Sequence, residues 1–368
     1  MKAIITGGGT GGHIYPALAV LRALENKGWD ILYIGSRGGL EGNIIPAEGI
    51  KFREVNVAPL PRKLSLKLIS SPIKTAVGFY QARKIIKGFK PDIVLGTGGF
   101  VAGPVVLAAA MLKIPSVIQE QNVYPGFTNK MLARWVNAIA LNFAEARKYF
   151  PENIKAEYRV TGNPIRKVIL DTDRKSGMKQ LSLDANRKTI LVFGGSQGAM
   201  SINKAMIDVY RHFQDNNRIQ IIHITGKKNY NTILDEIRKE GININKSGHY
   251  KIKSYITHME YAYAVADLVV YRAGATGIAE ITAKGIPAIL IPYPFAAENH
   301  QEYNARNLEK HGAAVVILDK DLNGRKLIEK IEMLINDHKR LSEMSRNSRK
   351  LANPDAVKNI VNLIEEMV

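Results

Sequence analysis

A chain of 368 residues is long for one domain, and its 46% apolar content suffices to bury two cores, which excludes extended disorder. The absence of cysteine excludes disulfides and thiolate metal sites and fits a reducing compartment. With 52 basic and 33 acidic residues the net charge is +19, which suits nucleic acid, an anionic membrane surface or a phosphorylated substrate, or else only solvated lysines on helix faces.

Short apolar runs alternate with amphipathic ones, the pattern of repeated βα units and a parallel sheet. Residues 2–6 read as the first strand, with no apolar stretch long enough for a secretory signal. The strand ends in Gly7-Gly8-Gly9-Thr10-Gly11-Gly12-His13 and opens a helix over residues 14–27, with Ala17, Leu18, Leu21 and Leu24 on one face. Such a loop offers bare amides and a helix dipole to an anion, although plain strand–helix packing also uses it. A dinucleotide fingerprint fits Gly7, Gly9 and Gly12, but the next strand, residues 31–34, is followed by Gly35-Ser36-Arg37 with no acidic residue, which disfavours an NAD enzyme. His13, in the first helical turn, suits either a general base kept near neutral by the dipole or a polar cap.

Residues 60–90 carry eight basic and no acidic side chains, interleaved with apolar ones. This fits an anionic leaflet, with Leu64, Lys67, Leu68, Ile73 and Phe79 as candidate lipid contacts, or a core helix with a solvated basic face. A strand at 93–95 leads into a second glycine loop, Gly96-Thr97-Gly98-Gly99-Phe100. Residues 101–112 form the longest apolar stretch, too short to span a bilayer. Strands follow at 116–119 and 138–141, then a connector at Gly162-Asn163-Pro164 and a polar stretch.

A second series begins with a strand at 189–193, the loop Gly194-Gly195-Ser196-Gln197-Gly198 and a helix over 201–213. Strands at 219–224 and 268–271, a helix over 277–284 and a strand at 288–292 continue it. The two series predict two doubly wound domains, and glycine loops at strand C-terminal ends predict a phosphate or sugar cleft. After the strand at 268–271, a helix start near Thr276 suits a diphosphate, while Glu280 one turn in suits ribose hydroxyls or the helix dipole. Gln301 and Asn304, three apart, suit sugar hydroxyls or a solvent face. Residues 341–368 read as one or two helices broken near Pro354.

Seven segments occur in one order: GGTGGHIYPALA (8–19), GGFVAGP (98–104), EQN (120–122), TGNPIR (161–166), FGGSQGA (193–199), RAGATGIAE (272–280) and HQEYNA (300–305). Together they resemble the MurG family, transferases that move GlcNAc from UDP-GlcNAc to lipid I in bacterial peptidoglycan synthesis. The resemblance implies an α/β GT-B fold, with two Rossmann-like doubly wound domains facing a cleft. Residues 1–162 would form the acceptor and membrane domain, 163–340 the UDP-GlcNAc domain, and 341–368 helices packing back on the first.

On the matching positions, the resemblance places Ile256 and Glu280 at the uridine and ribose, and Ser196, Ala275 and Thr276 at the diphosphate. Gln301 and Asn304 fall at GlcNAc, and Arg166 in the donor site. Thr10, Gly11, Gly12 and Asn122 fall toward the donor sugar and acceptor diphosphate. It implies an inverting displacement by the MurNAc 4-hydroxyl, with His13 the candidate base and Glu120 the competing carboxylate. The chain departs from the family at Thr276-Gly277 and at Phe100.

No Asp-x-Asp pair follows a strand where a metal-diphosphate site would need it, so no tightly bound metal is expected, and at most a loosely associated Mg²⁺ on the substrate diphosphate. The implied partners are UDP-GlcNAc, lipid I and the anionic inner leaflet, with a peripheral location on the cytoplasmic face of the cell membrane. Cell-wall synthesis, and with it cell shape and division, would be the setting. Rival readings are another UDP-sugar transferase with a lipid acceptor and a UDP-GlcNAc 2-epimerase. Nucleic acid is not expected, because no recognition motif accompanies the charge.

Overall fold

The structure, a computed structural model, describes residues 1–58, 67–195, 197–244 and 249–368, with the backbone alone for 67–73. The chain forms two compact units, residues 1–165 with 353–368, and residues 166–352.

The first unit opens with β1 (Lys2–Thr6), α1 (Gly11–Glu25), β2 (Asp30–Ser36), α2 (Glu41–Ala47) and β3 (Phe52–Val55). It continues with α3 (Lys67–Phe89), β4 (Ile93–Gly96), α4 (Ala102–Met111), β5 (Ser116–Glu120) and α5 (Phe127–Leu132), then β6 (Ala138–Leu141) and β7 (Glu157–Val160). All seven strands are parallel, in the order β3-β2-β1-β4-β5-β6-β7. The register pairs Ile5 with Tyr33 and Ile4 with Val94. The central strands are buried on both faces, which is why they read as continuous apolar runs.

The second unit begins with α6 (Lys167–Asp171), α7 (Arg174–Leu181), β8 (Lys188–Phe193), α8 (Met200–Phe213) and β9 (Ile219–Ile224). Then come α9 (Tyr230–Lys239), β10 (Tyr250–Lys253), α10 (Met259–Val265), β11 (Leu268–Tyr271) and α11 (Ala275–Lys284). It closes with β12 (Ala288–Leu290), α12 (His300–Lys310), β13 (Ala314–Val316), α13 (Gly324–Ile335) and α14 (His338–Lys350). Its six parallel strands run β10-β9-β8-β11-β12-β13.

The edge strands β3, β7, β10 and β13 were not anticipated. Their sequences FREV, EYRV and YKIK interrupt the apolar run with charge, and β13 has only three residues. An edge strand has fewer sheet neighbours and keeps part of its surface in water, so the apolar signal thins.

The unit boundaries differ from the division drawn at 162/163 and 340/341. Leu341 and Met344 of α14 pack into the core of the second unit. The last helix, α15 (Ala356–Glu365), belongs to the first unit. Its Ile360, Val361, Leu363 and Ile364 fill a cluster with Ile14, Ala17, Leu21 and Leu24 of α1. The opposite face of that sheet is covered by α3, α4 and α5 through Ala82, Ile86, Val105, Val106 and Leu132.

Candidate active site

In the first sheet the strand order reverses between β1 and β4, and in the second between β8 and β11. Such switch points part the loops at strand C-terminal ends and leave a place for a ligand. The predicted glycine loops lie there, two in the first unit and one in the second.

In the first unit the loop after β1 lies against the loop after β4. Gly8 donates its N–H to the Gly98 carbonyl at 3.3 Å, and the Thr97 hydroxyl donates to the His13 carbonyl at 2.9 Å. A Cβ on Gly99 would fall 2.3 Å from the Gly8 oxygen, so only glycine permits this approach. Gly9 takes φ +81°, in the left-handed region. Thr10 precedes α1 but does not cap it through its side chain, and Gly11 and Gly12 form the first turn. Their amides have no carbonyl one turn earlier to bond within the helix.

His13 Nδ1 lies 2.9 Å from the Gly8 carbonyl oxygen and 3.3 Å from Thr10 Oγ1. A carbonyl can only accept, so Nδ1 carries the proton and Nε2 is the basic nitrogen; the tautomer follows from the partner. The ring therefore bonds back to the glycine loop and does not cap the helix.

Glu120, at the end of β5, is buried, and both its oxygens are engaged. Oε1 accepts from the N–H of Asn122 at 2.9 Å and its Nδ2 at 3.1 Å; Oε2 accepts from Gly126 N at 3.0 Å and Asn129 Nδ2 at 2.7 Å. Burial raises its carboxyl above the ordinary range, while the four hydrogen bonds act in the opposite direction. The group staples residues 122–129, and Asn122 serves that staple. A second staple runs from Gln121 Nε2 to the Thr97 carbonyl at 2.5 Å, which ties the loop after β5 to the loop after β4.

In the second unit the described part of the loop after β8 lies against the end of β9, where a Cβ on Gly198 would fall 2.0 Å from the Thr225 carbonyl oxygen. Ser196 lies outside the described residues. Arg272 is buried and donates to Asp319 Oδ1 at 2.5 Å, to Ser201 Oγ at 2.8 Å and to the carbonyls of Ile291 and Pro292 at 3.2 Å. It thus ties the ends of β11 and β12 to α8. Ala275 begins α11 and is buried. In the same turn, Thr276 Oγ1 is buried without a hydrogen-bond partner. A buried orphan hydroxyl at a helix N-terminus marks a place where a ligand can complete the bonding.

Glu280, one turn into α11, lies 3.7 Å from Arg166 Nη2. Burial raises its carboxyl, opposed first by Arg166 and then by a hydrogen bond from Tyr263. Ile256 is half-buried in the segment after β10. The two amides of α12 do not project as a pair toward open space. Gln301 Oε1 accepts from the N–H of Ala273 at 3.2 Å and of Tyr293 at 3.0 Å, while Asn304 Nδ2 donates to the Ala273 carbonyl at 3.1 Å. They grip both sides of Ala273 and so hold the loop before α11; Asn304 is fully buried.

Among the candidate lipid contacts, Leu64 lies outside the described residues, as do the side chains of Lys67, Leu68 and Ile73. Phe79 is half-buried, with part of its ring packed on the core cluster under α3. Among the described side chains of that helix, the exposed large apolar ones are Val77 at 40% and Tyr80 at 66%, beside exposed Lys74, Arg83, Lys84 and Lys87. Missed by the sequence reading was a second exposed apolar face, Phe127, Met131 and Trp135, on and just after α5. Its signal was the four-residue spacing. Among the described residues no helix is long and apolar enough to cross a membrane. None of them form a group of three or more His, Asp or Glu side chains that could hold a metal ion.

Glu41 was also missed. It is fully buried at the start of α2; Oε2 accepts from Gly9 N at 3.1 Å, and Oε1 from Ser36 N at 2.9 Å and Ser36 Oγ at 2.6 Å. An acidic side chain therefore does reach the end of β2, from five residues further on. Its oxygens are turned to the protein's own donors, so a cofactor ribose finds no acceptor there.

Residues 3–141 match the glycosyltransferase family 28 N-terminal domain, and residues 189–360 match its C-terminal domain. Over 366 residues, covering 100% of this chain and 99% of the relative, the chain is 58% identical to the UDP-N-acetylglucosamine–N-acetylmuramyl-(pentapeptide) pyrophosphoryl-undecaprenol N-acetylglucosamine transferase of Halothermothrix orenii. It is 43% identical to the protein of that name from Desulforamulus reducens, again over 100% of this chain and 99% of the relative. Among solved structures it is similar to MurG of Acinetobacter baumannii, with a TM-score of 0.78, 27% identity and 99% of each chain covered.

Proposed function

The chain belongs to glycosyltransferase family 28, and we propose that it moves GlcNAc from UDP-GlcNAc to the C4 hydroxyl of MurNAc in undecaprenyl-pyrophosphoryl-MurNAc-pentapeptide, turning lipid I into lipid II. The observation that carries this reading is full-length kinship, at 58% identity, to a relative whose name states the reaction. It makes the protein a glycosyltransferase of peptidoglycan synthesis, the process on which cell shape and division depend.

The acceptor oxygen attacks the anomeric carbon of GlcNAc as the bond to the UDP oxygen breaks, so the configuration inverts and a β-1,4 bond forms. The hydroxyl proton passes to His13 Nε2, and UDP leaves with the bonding electron pair. His13 is preferred over Glu120 as the base, because the Glu120 oxygens accept four hydrogen bonds from residues 122–129. The helix start at Ala275 and Thr276, with Ser196, receives the diphosphate as its charge grows. Arg166, Glu280 and Ile256 hold the nucleoside. Gln301 and Asn304 act on the sugar through the loop they clamp. Thr10, Gly11 and Gly12 offer the α1 N-terminus to the acceptor diphosphate. A Mg²⁺ ion, if it takes part, arrives on the substrate diphosphate and neutralises some of its charge.

A lipid-linked acceptor obliges the enzyme to touch the bilayer. The exposed cations of α3 with Val77 and Tyr80, and the Phe127, Met131 and Trp135 face, support peripheral contact with the anionic inner leaflet. The net charge of +19 is then addressed to lipid headgroups and substrate diphosphates, not to nucleic acid.

The test is UDP release from UDP-GlcNAc with and without a lipid I analogue, in the wild type and in His13→Ala. Acceptor-dependent release that falls about 10²–10⁴-fold in the variant, with donor affinity retained, is expected. Release sustained in the variant moves the base elsewhere. Donor consumption without acceptor, yielding ManNAc, replaces the transferase by a 2-epimerase.

A further inference from the structure

Three glycines make room for one carboxylate. A Cβ on Gly8 would lie 2.3 Å from Glu41 Oε1, one on Gly39 would lie 2.5 Å from the same oxygen, and one on Gly35 would lie 2.6 Å from Glu41 Cγ. The carboxylate so admitted is fully buried, and Gly9 N–H, Ser36 N–H and the Ser36 hydroxyl all donate to it. Tying α2 to β2 accounts for the two Ser36 bonds. It does not account for the third.

The N–H that Glu41 Oε2 accepts belongs to the peptide group between Gly8 and Gly9. The carbonyl of that same peptide accepts the Nδ1–H of His13 at 2.9 Å. Among the described residues no peptide bond is cis, so the N–H and the C=O of this peptide point in opposite directions, with the carboxylate on one edge and the imidazole on the other. A carboxylate drawing on the N–H polarises the amide, places more negative charge on its oxygen and strengthens the bond that oxygen receives.

We propose that Glu41 is a positioning residue that fixes the tautomer and orientation of His13 through the Gly8–Gly9 peptide. The link keeps the proton on Nδ1, leaves Nε2 as the basic nitrogen and steadies the imidazolium once Nε2 has taken a proton. In a Ser-His-Asp triad a carboxylate does this by direct contact; here one amide stands between. The hold on His13 rests on geometry alone, whereas its effect on turnover rests on the reading of His13 as the base.

The test joins nitrogen-15 NMR of histidine-labelled full-length protein, with the His13 signals identified from their loss in His13→Ala, to steady-state kinetics. In the wild type His13 is expected as the Nδ1–H tautomer, and an Nε2–H form overturns the proposal without any variant. Glu41→Gln keeps the shape but turns an NH₂ group toward the donors. The proposal expects it to shift His13 toward the other tautomer and to lower kcat by about 10- to 100-fold, the range found for outer-shell partners of metal-bound histidines, which likewise act at one remove. KM for UDP-GlcNAc should change little.

Ser36→Ala removes one bond from the carboxylate but spares its bond to Gly9, and should keep the wild-type tautomer. A shift as large as that of Glu41→Gln would reduce the effect to general loosening and overturn the proposal. An unaltered tautomer in Glu41→Gln overturns it too, whatever kcat does. A shifted tautomer with wild-type kcat supports the hold and removes His13 as the base.

Discussion

The guanidinium of Arg166 lies 3.7 Å from the carboxylate of Glu280, joining the first residue of the second unit to the first turns of α11. Arg166 keeps 41% of its side-chain surface exposed and Glu280 only 10%. The carboxylate is thus held in a poorly solvated place by partners that only partly offset its burial, so its pKa lies above the ordinary range. A costly buried acid retained beside a helix N-terminus fits a ligand-binding role better than a stabilising one.

Replacing Glu280 by Gln should therefore separate binding from stability. KM for UDP-GlcNAc is expected to rise about tenfold or more, the worth of one charge-assisted hydrogen bond. A raised native pKa means the native state holds the proton more tightly than the unfolded chain does. The penalty is absent below the unfolded pKa and grows as pH rises toward the native value. The variant should thus gain melting temperature relative to the wild type as pH rises above about 4. An unchanged KM would remove Glu280 from the donor site.

Thr276→Val removes the orphan hydroxyl without changing side-chain shape. Stability should hold or rise, since an unsatisfied buried hydroxyl costs about 1–3 kcal/mol. Binding of UDP should weaken by about tenfold if that hydroxyl meets the diphosphate. Titration calorimetry with UDP reads both wild type and variant, and equal affinities would leave the hydroxyl without a ligand.

His223 is fully buried between the Tyr210 hydroxyl at 2.6 Å and Asn203 Oδ1 at 3.0 Å. Burial pushes its pKa down to about 3. The unfolded chain, with a histidine near its ordinary value, binds the extra proton first, so this contribution is complete above about pH 6.5 and is lost as pH falls. The slope is about 1.4 kcal/mol per pH unit. Urea denaturation of His223→Gln should show a shallower loss between pH 6.5 and pH 5 than the wild type does. Parallel curves would contradict it.

Charge reversal at Lys74, Lys84 and Lys87 tests the bilayer surface. Each cation near an anionic leaflet contributes about 1 kcal/mol, so losing three weakens flotation with anionic vesicles by about a hundredfold, and reversing their charge should weaken it by more. Turnover of a water-soluble acceptor analogue distinguishes lost membrane contact from misfolding. Undiminished flotation would point to the Phe127, Met131 and Trp135 face instead.

Much of the fold was legible in local sequence. Residues 2–6, 138–141, 219–224 and 268–271 were read as strands within their observed limits, because interior strands of a parallel sheet are apolar on both faces. The glycine loops were legible because Gly9 at φ +81° and Gly99 against the Gly8 oxygen admit no side chain without strain. Family membership followed from seven short segments in order, all but the strand end at 120–122 tied to such a loop or to a helix start.

What the sequence could not determine was where polar side chains turn once the chain has packed. Glu41 drew no notice in the sequence, yet it reaches back 32 residues to Gly9. Asn304 has the spacing of a sugar ligand, and the fold turns its Nδ2 to the carbonyl of Ala273, 31 residues away. The resemblance already sent residues 341–368 back to the first domain, but only packing divided them, with α14 in the core of the second unit and α15 against α1 in the first. Local spacing sets backbone conformation, whereas a buried donor takes whichever acceptor the assembled fold brings within 3 Å, and that choice is made in three dimensions.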